Sequence, residues 1–172
     1  MEVERYMQEK DHLLLEVSSG LMKIIPYTES IVRIRYTLEN QFSKKKSLFV
    51  EPNTQKDVEF MVEEKDSSII FSTRKVRIHI NKTTAAFTYM DDSGNILTKE
   101  PNRGGKTLVP TEVHKPIYDA NTKIENSQNA DGARAKAVAT KHVVDRIAYH
   151  TKLEFEWANG EALYGLGSHE EG

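Results

Sequence analysis

The sequence contains no cysteine, which excludes disulfides, thiolate catalysis and cysteine-ligated zinc. Long hydrophobic runs are also missing, since no more than three apolar residues occur in succession. This excludes a transmembrane helix and disfavours a buried parallel sheet. The N-terminus lacks a basic segment followed by an apolar stretch, so no signal peptide is visible. Because an exported protein looks the same once its signal is removed, both a cytoplasmic and an exported location remain open.

The chain also lacks a charge excess of either sign. Lys and Arg number 24 against 26 Asp and Glu, which gives a net charge of −2. Nucleic-acid and anionic-membrane partners usually require a basic excess, so neither is expected. With 172 residues, 38% hydrophobic and 29% charged, the chain is predicted to form one globular domain, residues 1–172, with a lean core.

Residues that favour β-strands are abundant in the chain. The chain has 12 Val, 12 Ile and 13 Thr against 11 Leu, and β-branched side chains favour strands. Apolar and polar residues alternate with the period of two that a half-buried strand shows. Strands are predicted over residues 12–18, 21–26, 30–37, 58–63, 68–73, 75–81, 85–90, 95–98, 146–157 and 162–165. Short, closely spaced strands predict an all-β fold, an antiparallel sandwich or barrel.

Turn residues separate these strands. Gly94 in Asp91-Asp-Ser-Gly-Asn predicts a hairpin, and Asn159-Gly160 predicts a turn after the longest strand. The apolar face of that strand, which ends in Phe155 and Trp157, is expected to lie in the core. Residues 101–140 are predicted to form a long irregular connection. Within it, Ala133, Ala135, Ala137 and Ala139 suit a helix by propensity and a strand by spacing.

Candidate catalytic residues are few. The acidic doublets Glu63-Glu64 and Asp91-Asp92 lie in or beside strands, where neighbours point to opposite faces and cannot converge on one bond. Glu170-Glu171 lies in a glycine-flanked loop where convergence is possible. The six histidines show no metal-binding spacing, and Gly104-Gly105-Lys106-Thr107 lacks the earlier glycine of a phosphate loop, since position 100 is Glu. We therefore expect no catalytic residue, no metal and no cofactor.

The C-terminal residues resemble a known family. Leu-Glu-Phe-Glu-Trp at 153–157, a short turn and residues 161–172 resemble the end of the N-terminal β-sandwich region of family 31 glycoside hydrolases, the α-glucosidases and α-xylosidases. Tyr164, Gly165 and Gly167 match its Tyr-Gly-x-Gly element, whereas Ser168 stands where many members have Glu. Upstream, residues 69–80 and 87–97 resemble the family's paired strands and D-x-x-G-x-x-L hairpin, and residues 30–37 its early strand. The likeness runs from about residue 10 to 172.

This resemblance implies a galactose-mutarotase-like sandwich that is incomplete at its C-terminal end and lacks the catalytic (β/α)8 barrel. Its implied partners are the barrel of the same parent polypeptide and that enzyme's oligosaccharide substrate, an α-linked glucoside or xyloside. The domain would pack on the barrel and help shape the substrate entrance, and the chain alone would be inactive. The residues implied at the edge of the active site are Tyr164, Gly165, Gly167, Ser168, His169, Glu170 and Glu171.

Two other functions stay open at this point. A free-standing carbohydrate-binding sandwich needs exposed aromatic residues on one face, and Trp157, Tyr27, Tyr89 and Tyr118 suggest no shared platform. An enzyme in its own right would hydrolyse an aryl α-glycoside. The sandwich is also expected to end early, to expose an apolar strip and to self-associate.

Overall fold

The computed structural model describes residues 1–45, 58–129 and 132–162, and within them it contains thirteen strands. The chain divides into two compact units. The sandwich unit comprises residues 1–106 and the chain from Leu153 onward, and the ribbon unit comprises Thr107–Lys152. In the described part of the chain, no helix has the length and apolar character needed to cross a membrane.

The sandwich unit is built from two antiparallel sheets. The four-stranded sheet has the order β1-β2-β3-β4 and the five-stranded sheet the order β5-β6-β7-β8-β9. The strands are β1 (Val3–Gln8), β2 (Leu13–Val17), β3 (Gly20–Pro26), β4 (Val32–Thr37), β5 (Met61–Lys65), β6 (Ser68–Ser72), β7 (Val76–Asn81), β8 (Phe87–Asp91) and β9 (Ile96–Lys99). This architecture confirms the predicted all-β antiparallel sandwich.

One core lies between the two sheets. Leu15 pairs with Met22 in the first sheet, and Phe71 pairs with Ile78 in the second. All four side chains are fully buried, each contributing roughly 1.5–3 kcal/mol through removal of apolar surface from water. The remaining fully or nearly fully buried members of the core are Leu13, Val17, Ile24, Ile69, Ile80, Ala85 and Phe87.

A polar contact joins the two sheets at one edge. The Tyr6 hydroxyl on β1 donates to Glu64 Oε2 on β5 at 3.0 Å, and Lys82 Nζ donates to Glu64 Oε1 at 2.5 Å. The hydrogen bond to Glu64 raises the pKa of Tyr6, and Lys82 lowers the pKa of Glu64. The contact therefore holds β1 against the edge strand of the other sheet.

The ribbon unit corrects the prediction for residues 101–140. Instead of an irregular connection, this region contains β10 (Lys106–Ile117), β11 (Lys123–Asn129) and β12 (Gly132–Val138). β11 pairs with β12, and β10 pairs with β13 (Lys141–Leu153), in two two-stranded sheets. The alternating alanines lie in β12, so their spacing of two, and not their helix propensity, agrees with the structure.

The longest predicted strand begins and ends earlier than expected, at Lys141 and Leu153 instead of 146 and 157. The strand predicted over 58–63 begins at Met61. Strand β1 was not predicted. Most of the strand predicted over 162–165 lies outside the described residues.

Candidate functional site

The residues implied by the family resemblance lie outside the described part of the chain. They are Tyr164, Gly165, Gly167, Ser168, His169, Glu170 and Glu171, and the description ends at Ala162. What the structure does show is the segment that leads to them. We call residues 153–162 the approach segment.

Backbone hydrogen bonds fix the first part of the approach segment beside β9. Glu154 N donates to Gly105 O at 2.8 Å, and Glu156 N donates to Lys99 O at 2.8 Å. Both acidic side chains also form ion pairs. Lys99 Nζ lies 2.6 Å from a Glu156 oxygen, and Arg103 lies 2.9 Å from Glu154 Oε1. Because these pairs are partly exposed, the backbone bonds supply most of the positional restraint.

A turn ends the approach segment. Ala158 N donates to Glu161 Oε2 at 3.0 Å, and Glu161 N donates to Ala158 O at 3.1 Å. Gly160 has φ +85°, a conformation that a side chain would strain. The turn predicted at Asn159-Gly160 is confirmed.

A buried ion pair lies beneath the start of β10. Glu100 is 2% exposed, and its Oε2 accepts hydrogen bonds from Lys106 Nζ and from Phe87 N at 3.0 Å. Lys106 Nζ also donates to Ala85 O at 3.1 Å and lies 3.6 Å from the centroid of the Phe87 ring. Burial lowers the pKa of Lys106, although Glu100 opposes the shift.

One oxygen of this pair has no hydrogen-bond partner among the residues that the structure describes. This atom, Glu100 Oε1, is buried, and an unsatisfied buried polar atom is costly. Ala85, whose carbonyl receives Lys106, has φ +50°, a strained conformation for alanine. The unsatisfied Glu100 oxygen and the strained Ala85 backbone both destabilise the sandwich unit locally, and both accompany the contact of Lys106 with residues 85 and 100.

The adjacent glycines serve packing, not phosphate binding. A Cβ on Gly105 would lie 2.6 Å from Glu154 O and 2.8 Å from Glu100 Cβ, distances that real Cβ atoms do not show. Gly104 has φ +94°. The Gly104-Gly105-Lys106-Thr107 pattern thus marks the start of β10, where the backbone passes close to Glu100 and Glu154.

The apolar residues of the approach segment are exposed, which corrects their predicted burial. Leu153 is 55%, Phe155 46% and Trp157 54% exposed; we call these three residues the approach strip. Phe155 touches the edge of the core, with its ring centroid 6.3 Å from that of Tyr89. The prediction was wrong because alternation shows which residues share a face and not whether anything covers it.

Two of the acidic doublets fall within the described residues, and they lie in or beside strands, as predicted. Glu64 reaches Tyr6 and Lys82 at the sheet edge, whereas Glu63 lines a groove on the sandwich unit. Asp91 accepts hydrogen bonds from Asn95 N and Nδ2 at 2.7 and 2.8 Å and so shapes the hairpin turn.

Histidines show no common site in the described residues. His12 lies 2.7 Å from Asp11, and His114 lies 3.4 Å from Glu112. Burial, Arg77 and Lys65 lower the pKa of His79. Within residues 1–45, 58–129 and 132–162, no group of three or more His, Asp or Glu side chains is placed to hold a metal ion.

A large groove lies on the sandwich unit, with a volume of about 1230 Å³. Its lining comes from the end of β1, from the outer faces of β5, β6 and β7, and from the turn between β6 and β7. Sequence reasoning did not find it. Strand alternation placed Arg77 and His79 on the polar face, but it gives no information on how the end of β1 borders that face.

The described residues of the sandwich unit thus form an antiparallel β-sandwich, and backbone hydrogen bonds hold the approach segment beside it. The model of the glycosyl hydrolase 31 N-terminal galactose mutarotase-like domain matches residues 21–171. The chain belongs to this domain family.

Solved structures with a similar fold include two α-xylosidases of family 31. The enzyme from Xanthomonas citri gives a TM-score of 0.67 at 21% identity and covers 94% of this chain. An enzyme from a soil metagenome, solved in complex with xylose, gives a TM-score of 0.50 at 12% identity and covers 72%. This chain spans 14% of the first enzyme and 22% of the second, so the likeness concerns the fold of one domain.

Proposed function

We propose that this domain is the non-catalytic N-terminal part of a family 31 glycoside hydrolase that acts on α-linked glucosides or xylosides. The family match over residues 21–171 carries the proposal. The two similar α-xylosidases, which are much longer than this chain, support a parent enzyme with a separate catalytic domain.

The approach strip is the proposed contact with the catalytic barrel. Leu153, Phe155 and Trp157 are each about half exposed, immediately before the Tyr-Gly-x-Gly element. A large aromatic side chain offers roughly 150–250 Å² of surface. Covering the exposed half of Trp157 would stabilise a domain contact by about 2–3 kcal/mol at roughly 25 cal/mol per Å².

The approach segment gives the domain its second proposed role. Its hydrogen bonds to Lys99 and Gly105 and its turn at Gly160 direct the chain toward the family motif. We place Tyr164, Gly165, Gly167, Ser168, His169, Glu170 and Glu171 at the border of the substrate entrance.

Hydrolysis assays test this function. The 172-residue chain is expected to leave 4-nitrophenyl α-glucoside and α-xyloside intact, whereas the longer polypeptide that carries the barrel hydrolyses one of them. In that polypeptide, Glu170→Gln with Glu171→Gln is expected to raise KM for an oligosaccharide several-fold and to change kcat less, since the pair borders the entrance and does no chemistry.

Glu125→Gln is the matched control, since Glu125 is an exposed residue of β11 and lies outside the approach segment; this substitution should change KM little. Hydrolysis by the short chain that survives repurification would contradict the proposal. So would a double substitution that abolishes kcat at unchanged KM.

A further inference from the structure

The groove on the sandwich unit has an apolar floor on the face opposite the core. Ile70 alternates with the core residues Ile69 and Phe71, so it points outward, yet it is only 4% exposed. Its cross-strand neighbours Glu63 and His79 both line the groove. The outer face of β6 is therefore enclosed here by the groove walls instead of being open to solvent.

Apolar surface continues toward the end of the groove. Phe60 stacks on the core residue Phe71, with centroids 5.0 Å apart, and it also lines the groove. Met61 lies beside it and is 62% exposed. A ligand in the groove would thus meet fixed aromatic and thioether surface in addition to polar groups.

The polar lining is balanced in charge. The described lining residues include four carboxylates and four cations, whose formal charges sum to zero. These residues are Glu9, Glu29, Glu59, Glu63, Lys10, Lys65, Arg74 and Arg77. Burial lowers the pKa of His79, which favours the neutral form of that ring. A site for a polyanion or a polycation needs an excess of one sign, and this groove has none.

We propose that this groove binds a neutral oligosaccharide. A sugar hydroxyl both donates and accepts, so it is satisfied by a guanidinium on one side and a carboxylate on the other. The C–H faces of the sugar ring match the apolar floor. A volume of about 1230 Å³ exceeds the roughly 300–1,000 Å³ of ordinary small-molecule pockets, which suits a chain of sugars better than a single one.

The lining residues are able to turn toward such a ligand. Arg74 and Glu29 form a long contact of 3.4 Å, with 82% and 39% of the two side chains exposed. Pairs of this kind contribute little to stability, roughly 0–1 kcal/mol. Exchanging this contact for hydrogen bonds to a sugar therefore costs the fold little. The inference goes beyond the proposed function, because the groove needs no barrel to bind.

Calorimetric titration of the 172-residue chain tests the proposal. Maltoheptaose and a xyloglucan heptasaccharide are the two probes, and saturable binding of at least one is expected with a Kd below about 1 mM. Arg77→Ala and Glu63→Gln should each weaken it about tenfold. Lys75→Ala is the matched control, since Lys75 is exposed on the neighbouring turn and does not line the groove; it should bind like the wild type.

Three results would overturn the proposal. One is the absence of saturation with both sugars, and another is an equal loss of affinity in the Lys75 variant. The third is tighter binding of poly-glutamate than of either sugar, which would identify an anion site. Circular dichroism of each variant separates lost binding from lost folding. Hydrolysis by the longer polypeptide is a different readout, so failure here leaves the proposed function separately testable.

Discussion

Replacing Lys106 with methionine is expected to destabilise the sandwich unit by about 3–5 kcal/mol, because it leaves a buried carboxylate without its counter-charge. Methionine keeps the length and much of the apolar volume of the lysine stem. The substitution therefore removes the charge and its hydrogen bonds while changing core packing little.

The magnitude follows from the surroundings of Glu100. The carboxylate is fully buried, and its Oε2 is bound by Lys106 and by Phe87 N. Within the described ranges, no donor reaches Oε1. Without the lysine, one backbone hydrogen bond at 3.0 Å remains for a buried charge. The substitution also removes the contact of the ammonium with the Phe87 ring. Such a cation–π contact stabilises the folded state by at most about 2 kcal/mol when the cation is desolvated.

Urea unfolding at pH 7, followed by far-ultraviolet circular dichroism, measures the effect. Lys99→Met is the matched control. It breaks the pair with Glu156, whose side chains are 40% and 39% exposed, and should cost at most about 1 kcal/mol. Glu100→Gln combined with Lys106→Met should recover most of the loss, because the neutral amide leaves no buried charge and keeps an oxygen to accept from Phe87 N.

The reasoning is refuted if Lys106→Met and Lys99→Met lower the free energy of unfolding equally. It is also refuted if the double variant is less stable than Lys106→Met alone.

Three further predictions concern the described residues. Gly105→Ala should cost more than 2 kcal/mol by clashing with Glu154 O and Glu100, whereas Gly94→Ala, with φ +86° and open space around it, should cost about 1–2 kcal/mol from backbone strain alone; equal unfolding midpoints would contradict this. Hydrogen bonds from Asn95 lower the pKa of Asp91, so the stability that this carboxylate contributes is present above its ordinary pKa of 3.8 and is lost as the pH falls below that value; Asp91→Asn should reduce the dependence of the melting temperature on pH in that range. The chain should self-associate through exposed apolar residues, and Phe155→Ser with Trp157→Ser should reduce the mass seen by light scattering at high concentration; a wild-type monomer would count against this.

Alternation along the sequence predicted the strands that face the core. In β2, β3 and β7 buried residues alternate with more exposed ones, so burial imposes the period of two. Strand β1 was missed because a register shift between Val3 and Arg5 breaks that period. Strands β11 and β12 were missed because nearly all their described residues are exposed on both faces, so no hydrophobic pattern marks them.

Only part of the structure of the approach segment could be predicted from the sequence. Asn159-Gly160 marked its turn because the required backbone conformation demands glycine. The pair of Glu100 and Lys106 gave no such signal, since two opposite charges six positions apart are usually solvated. The sequence feature that accompanies this buried pair is the Gly104-Gly105 doublet, because the close approach of Glu154 O leaves no space for a Cβ at Gly105. Exposure of Trp157 depends on neighbours that a strand pattern does not specify.

Hydrogen exchange of the approach segment tests the central claim most directly. It would compare the 172-residue chain with the longer polypeptide that carries the catalytic barrel. We predict that peptides containing Leu153, Phe155 and Trp157 exchange at least about tenfold more slowly in the longer polypeptide, whereas peptides from the core strand β7 exchange alike. Equal exchange of the approach segment in both proteins would contradict a sandwich that docks on the barrel through this strip.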